Sequence, residues 1–130
     1  MVHQELPVLR PARRVLVIDD EPSFCRFMSR LVSGLGYNVT TTCQAKCAYL
    51  DELTEQDIVF LDMMMPEMDG AQVLGVLSDH QIKASIVLMS GGDYALAKAE
   101  TMAKRADLRL IGVLHKPFRQ GDLRTILEAD

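Results

Sequence analysis

The chain has 130 residues, 48% hydrophobic and 25% charged, with a formal net charge of −4. That length suits one domain with a real core, and the acidic balance, without a dense Lys/Arg run, argues against a surface built for nucleic-acid phosphates. No apolar run exceeds four residues, so the sequence offers neither a membrane span nor a secretory signal core.

Residues 1–12 contain two prolines and no periodicity, and read as a flexible extension before a domain spanning 13–130. Arg10, Arg13 and Arg14 flank Pro11 and read as a solvated lead-in. Arg14 to Ile18 is a β-rich run that ends on Asp19-Asp20-Glu21. Pro22 then suits the first turn of a helix, and Phe24, Phe27, Met28, Leu31 and Leu35 recur as its apolar stripe. Gly34 and Gly36 punctuate its end. Tyr37 to Thr42 is a β-branched strand, and about Gln44 to Leu53 a second helix. Cys43 and Cys47, four apart, would share a face of that helix as small half-buried thiols, there being no nearby His to suggest a metal. With Cys25 they make an odd count without disulfide spacing, which fits a reducing cytoplasm.

Asp57 to Leu61 is the third strand, an apolar run that stops on the carboxylate of Asp62. Pro66 and Asp69-Gly70 break the chain before a third helix, Gly70 to Asp79, with Val73, Leu74 and Leu77 at helical spacing. Ala84 to Met89 is the fourth strand, followed by Ser90-Gly91-Gly92 and an Ala-rich helix from Asp93 to about Ala106. Leu110 to Leu114 is the fifth strand, followed by His115-Lys116-Pro117-Phe118 and a last helix, Arg119 to Glu128. Five strand–helix alternations without an internal repeat predict an α/β fold. The common form at this size is a flavodoxin-like (βα)5 doubly wound parallel sheet with strand order 2-1-3-4-5.

In that order strands one and three are neighbours at the switch point, and their carboxyl ends carry Asp19, Asp20 and Asp62. Strands four and five deliver Ser90 and Lys116 to the same edge. Carboxylates ~4 Å apart repel by about 4 kcal/mol per pair at an effective dielectric near 20, so the cluster demands a cation. Hard oxygen ligands in a loop-built site suit Mg²⁺, with Mn²⁺ as a substitute, better than zinc. A magnesium site with few protein ligands fills its shell with water and phosphate oxygens, which points to phosphoryl chemistry with Asp62 as nucleophile. Lys116 would hold a phosphoryl oxygen as a point charge and Ser90 would donate a hydroxyl hydrogen bond.

Four segments carry a family resemblance: Val17 to Glu21, Leu61 to Gly70, Leu88 to Gly91, and Lys116-Pro117-Phe118. Together they resemble a receiver domain of the bacterial two-component response regulators, in family order and spacing over about residues 13–128. The resemblance implies that Asp62 accepts a phosphoryl group from a histidine kinase or histidine phosphotransfer protein. It implies a Mg²⁺ site of Asp19, Asp20, Asp62 and the Met64 backbone carbonyl, with Ser90 as switch hydroxyl and Lys116 as its ion-pair partner. It further implies a cis Lys116-Pro117 peptide and output through the face of helix four, strand five and helix five. That output would reach a downstream protein or a fused output domain, with no direct nucleic acid or membrane contact. The chain is then a signalling switch rather than an enzyme, either alone or as the receiver part of a larger regulator.

Two positions depart from the family pattern. Val113 stands where many receivers have an aromatic that swings inward, so that readout does not transfer. Met64, two residues after Asp62, is large and apolar, and would slow water attack on an acyl phosphate by covering it. Met63, Met64, Met65 and Met68 read as gap-fillers rather than a copper site. Two other readings remain. A phosphorylation-independent adaptor of the same fold would explain the missing aromatic. A magnesium-dependent phosphohydrolase would need an Asp where Met64 stands.

Overall fold

Short apolar runs that stop on turn residues, together with one β-branched run, become, in the computed structural model, the five strands of one parallel sheet; residues 13–43, 49–65, 70–91 and 93–129 are described. In chain order the elements are β1 (Arg14–Ile18), α1 (Pro22–Gly34), β2 (Asn38–Thr42), a 3-10 turn (Tyr49–Glu52), β3 (Ile58–Asp62), α2 (Gly70–Asp79), β4 (Ser85–Ser90), α3 (Asp93–Arg105), β5 (Arg109–His115) and α4 (Gln120–Ala129). The strand order is β2-β1-β3-β4-β5, as the alternation predicts.

The central strands have no solvent face. All five residues of β3 and all six of β4 are buried, which explains why they read as unbroken apolar runs. Alternate side chains feed two cores. Leu16, Ile18, Val59, Leu61, Ile86 and Leu88 face the side of α2 and α3, where Val73, Leu77, Ala99 and Ala103 meet them. Val15, Val17, Ile58, Phe60, Val87 and Met89 face Met28 and Val32 of α1 and Leu123 and Leu127 of α4. Helices therefore cover both faces, and the strands' carboxyl ends stay together at one edge.

The structure corrects several expectations. Of the second helix, residues 44–48 lie outside the described residues, and Tyr49–Glu52 is a 3-10 turn. Cys43 is exposed at the end of β2 and not on a helix; Cys47 lies outside the described residues, as do Met68, Gly92 and the extension 1–12. Arg14 is no solvated lead-in: its guanidinium bonds both oxygens of buried Asp57, at 3.0 and 2.6 Å. The Thr54 N–H donates to the same carboxylate at 2.8 Å. This clasp joins the amino ends of β1 and β3.

β5 contains a local irregularity. Ile86 pairs with Leu110 and Val87 with Gly112, so Ile111 is an extra residue on the edge strand. Beyond it, Gly112 meets α4 so closely that a Cβ there would stand 2.9 Å from Ile126 Cδ1. Val113 turns to the opposite core, on the α3 side.

Candidate functional site

Register brings the polar strand ends together. Ile18 pairs with Leu61, Asp62 with Met89, and Ser90 with His115, so β1, β3, β4 and β5 end at one level. Asp62 is the last residue of β3, Ser90 the last of β4, and Asp19 follows β1 directly. The backbone continues the ladder past the strands: Asp19 N–H donates to the Thr42 carbonyl at 3.0 Å, Met63 N–H to the Met89 carbonyl at 2.9 Å, and Lys116 N–H to the Ser90 carbonyl at 2.8 Å. These bonds set the stems of the site side chains. The Lys116-Pro117 peptide is cis.

One carboxylate oxygen each from Asp19, Asp20 and Asp62 lies within 4.8 Å of the others. Asp19 and Asp62 are buried, whereas Asp20 is exposed. The Glu21 N–H donates to Asp19 Oδ1 at 2.9 Å, and the Met64 N–H donates to Asp62 Oδ1 at 3.1 Å. Lys116 Nζ donates to Asp19 Oδ2 at 2.6 Å and stands 3.7 Å from Asp62 Oδ2. Ser90 is fully buried beside them. The structure thus brings together Asp19, Asp20, Asp62 and Lys116, with Ser90 and Met64 on the adjoining backbone.

Among the described residues the cluster is short of positive charge. Burial pushes the Asp62 carboxyl above the ordinary carboxylate range, and the charges of Asp19 and Asp20 push the same way. The Met64 N–H and Lys116 pull against this without cancelling it. Three close oxygen donors, two of them buried and one open to water, with a surplus of negative charge, fit a hard divalent cation that keeps some water. Asp19 and Asp20 also line a groove of about 570 Å³ between α1 and β2, together with Cys25, Thr41 and Cys43. The Cys25 thiol donates to the Asp19 carbonyl at 3.3 Å; burial raises its pKa first, and the nearby Asp19 charge adds to that.

The methionine run divides. Met63 and Met65 are buried in the α2–α3 core, and Met64 is 60% exposed. The Met64 side chain is therefore largely open to solvent, two residues beyond Asp62. Sequence reasoning missed Phe24. Its ring centroid is 3.9 Å from Lys116 Nζ. The residue was legible only as one more apolar position in the stripe of α1, because helical spacing says nothing of what approaches the end of a stripe.

A family model described as "Response regulator receiver domain" matches residues 15–128. The two-component response regulator ORR24 of Oryza sativa subsp. indica is 34% identical over 116 residues, 87% of this chain and 18% of that protein. The cell cycle transcriptional regulator CtrA of Caulobacter vibrioides is 29% identical over 111 residues, 85% of this chain and 46% of that protein. The chain thus spans less than half the length of these two relatives. A response regulator from Colwellia psychrerythraea superposes with a TM-score of 0.79 at 34% identity, covering 90% of this chain and 94% of that one. The response regulator protein TrrA from Thermotoga maritima, crystallised in complex with Mg²⁺-BeF, has a TM-score of 0.72 at 22% identity, covering 90% of this chain and 97% of that one.

Proposed function

The chain belongs to the response regulator receiver family, and on that premise we propose that it is a switch operated by phosphorylation of Asp62. The observation that carries this reading is the convergence at the carboxyl edge of the sheet of Asp19, Asp20 and Asp62, with carboxylate oxygens within 4.8 Å of one another, and of Lys116, which pairs with Asp19 and Asp62. A carboxylate oxygen of Asp62 attacks the phosphorus of a phosphohistidine on a kinase or phosphotransfer protein. The P–N bond breaks as the O–P bond forms, and the departing imidazole takes up a proton. Asp62 is suited to this role because it is buried, fixed by the Met64 N–H and faced by one cation.

Asp19, Asp20, Asp62 and the Met64 carbonyl would hold Mg²⁺, with Mn²⁺ as a substitute. Bound there, the ion neutralises charge on the transferring phosphoryl group. Lys116 already lies between Asp19 and Asp62, so a small shift of its ammonium serves a phosphoryl oxygen on Asp62. Ser90, at the end of β4, supplies the hydroxyl. A complete switch from 1:99 to 99:1 needs ~5.5 kcal/mol of difference between states. Neutral hydrogen bonds net only about 1 kcal/mol each, so charge-assisted contacts to Lys116 must carry much of it.

The loops after β4 and β5 lead into α3 and α4, so the change would be read on the face of α3, β5 and α4. That face corresponds to the fourth helix, fifth strand and fifth helix expected from sequence. Val113 is partly buried in the α3-side core and offers no aromatic rotamer to report the change. The readout then falls to backbone and helix packing, received by a downstream protein or a fused output domain in the cytoplasm.

Beryllofluoride with Mg²⁺ tests the switch without a kinase. Amide spectra of wild type should shift at Ser90, Lys116 and along α3 when both are added, and Asp62→Asn should show no such change. Identical shifts in the Asp62→Asn variant would overturn the assignment of Asp62.

A further inference from the structure

Lys116 carries the positive charge of the site on a flexible four-carbon stem, and something must hold it in place. Asp19 accepts one N–H at 2.6 Å, and Asp62 lies at 3.7 Å. The third neighbour is an aromatic face: the Phe24 ring, with its centroid 3.9 Å from Nζ. That separation is well inside the range in which a ring quadrupole attracts an ammonium. The Lys116 side chain is only 20% exposed, so water screens the attraction weakly.

The ring itself is fixed. Phe118, two residues beyond Lys116, meets Phe24 edge to face at 5.9 Å and 86°. Phe27, one turn along α1, lies 6.0 Å from Phe24 and 6.2 Å from Phe118. Three rings therefore tie α1 to the segment that carries the lysine. One pair is edge to face and two are tilted, all at centroid separations where aromatic rings attract.

We propose that Phe24 is a positioning residue for Lys116, holding its ammonium at the acidic cluster through the face of the ring. The proposal rests on Asp62 being the phosphoryl acceptor. The physical advantage is specific to an aromatic. A second carboxylate would hold the lysine by taking a hydrogen bond, in competition with an incoming phosphoryl oxygen. A ring face attracts the charge without occupying the donor in that way, so the N–H facing Asp62 stays available. A leucine would fill the space and supply no field.

The test uses the full chain as wild type, Phe24→Leu and Phe24→Tyr, with acetyl phosphate and Mg²⁺. Phe24→Leu should take up phosphoryl about threefold to tenfold more slowly, and Phe24→Tyr should stay within about twofold of wild type. Thermal midpoints check folding, and Phe24→Met supplies a second non-aromatic side chain should the leucine variant be unstable. The signals of the Lys116 ε-methylene protons report the ring directly. They should lie upfield in wild type and Phe24→Tyr and return to ordinary positions in Phe24→Leu. A leucine variant as fast as wild type, or a tyrosine variant as slow as leucine, overturns the proposal. If wild type takes up no phosphoryl group, the reading of Asp62 fails separately. The methylene shift then decides the ring contact: upfield in wild type and lost in Phe24→Leu sustains it, and its absence from wild type overturns it.

Discussion

Asp62 and Asp57 are both buried aspartates, yet they respond to pH with opposite sign. Burial, followed by the charges of Asp19 and Asp20, raises the Asp62 pKa, so the folded state binds that proton more tightly than the unfolded chain does. Without Mg²⁺, this contribution weakens the fold as pH rises from the ordinary carboxylate value through the raised one. Asp62→Asn should therefore be more stable than wild type at neutral pH, measured by urea unfolding without metal; a less stable variant contradicts the charge-crowding account. At Asp57 burial also pushes upward, but the Arg14 hydrogen bonds, the Thr54 N–H and the Arg14 charge together outweigh it, and the pKa falls. That stability is present above the ordinary value and disappears as pH drops through the depressed one. Asp57→Asn should cost about 1–3 kcal/mol at neutral pH, toward the lower end because the Arg14 side chain is 51% exposed. The cost should vanish in strong acid. Met64 gives a kinetic prediction. Its side chain is apolar and exposed two residues beyond Asp62, so Met64→Asn should admit and orient water and shorten the half-life of the acyl phosphate. An unchanged half-life removes Met64 as a shield.

Among the elements, β5 and α4 approach each other closely at Gly112. Gly112→Ala would place a Cβ 2.9 Å from Ile126 Cδ1 and 3.1 Å from its Cγ1. It should destabilise the domain by about 1–3 kcal/mol, and Ile126→Val should recover part of that in a double-mutant cycle. Strictly additive effects would contradict the clash. This packing was not legible in sequence, because a one-residue irregularity at Ile111 changes which β5 side chains face α4. The buried strands were legible, since four apolar residues ending on Asp62 can hardly be anything else in a repeating βα pattern. The end of the second helix was not: Tyr49–Glu52 forms a 3-10 turn, with Leu50 buried in the core, and residues 44–48 lie outside the described residues. The gathering of Asp19, Asp20, Asp62, Ser90 and Lys116 at one sheet edge was legible because strand ends fix their level. Phe24 and the Arg14–Asp57 clasp were not, because each depends on contacts between distant segments that no local spacing encodes.

At the scale of the whole molecule, the fold collects charge at one edge of a sheet whose central strands are buried. Binding at that edge must stabilise the folded state by mass action. Mg²⁺ at about 100 times its dissociation constant should add ~2.7 kcal/mol, raising the thermal midpoint of wild type, and Asp20→Ala should lose most of that rise. An equal rise in Asp20→Ala would place the ion elsewhere. The proposed switch rests on Asp62 accepting a phosphoryl group in this setting. The most direct measurement is intact mass after incubation with acetyl phosphate and Mg²⁺, run beside Asp62→Asn and an EDTA control. Wild type alone should gain one phosphoryl group, and none with EDTA. Wild type that binds Mg²⁺ and remains unmodified would contradict it.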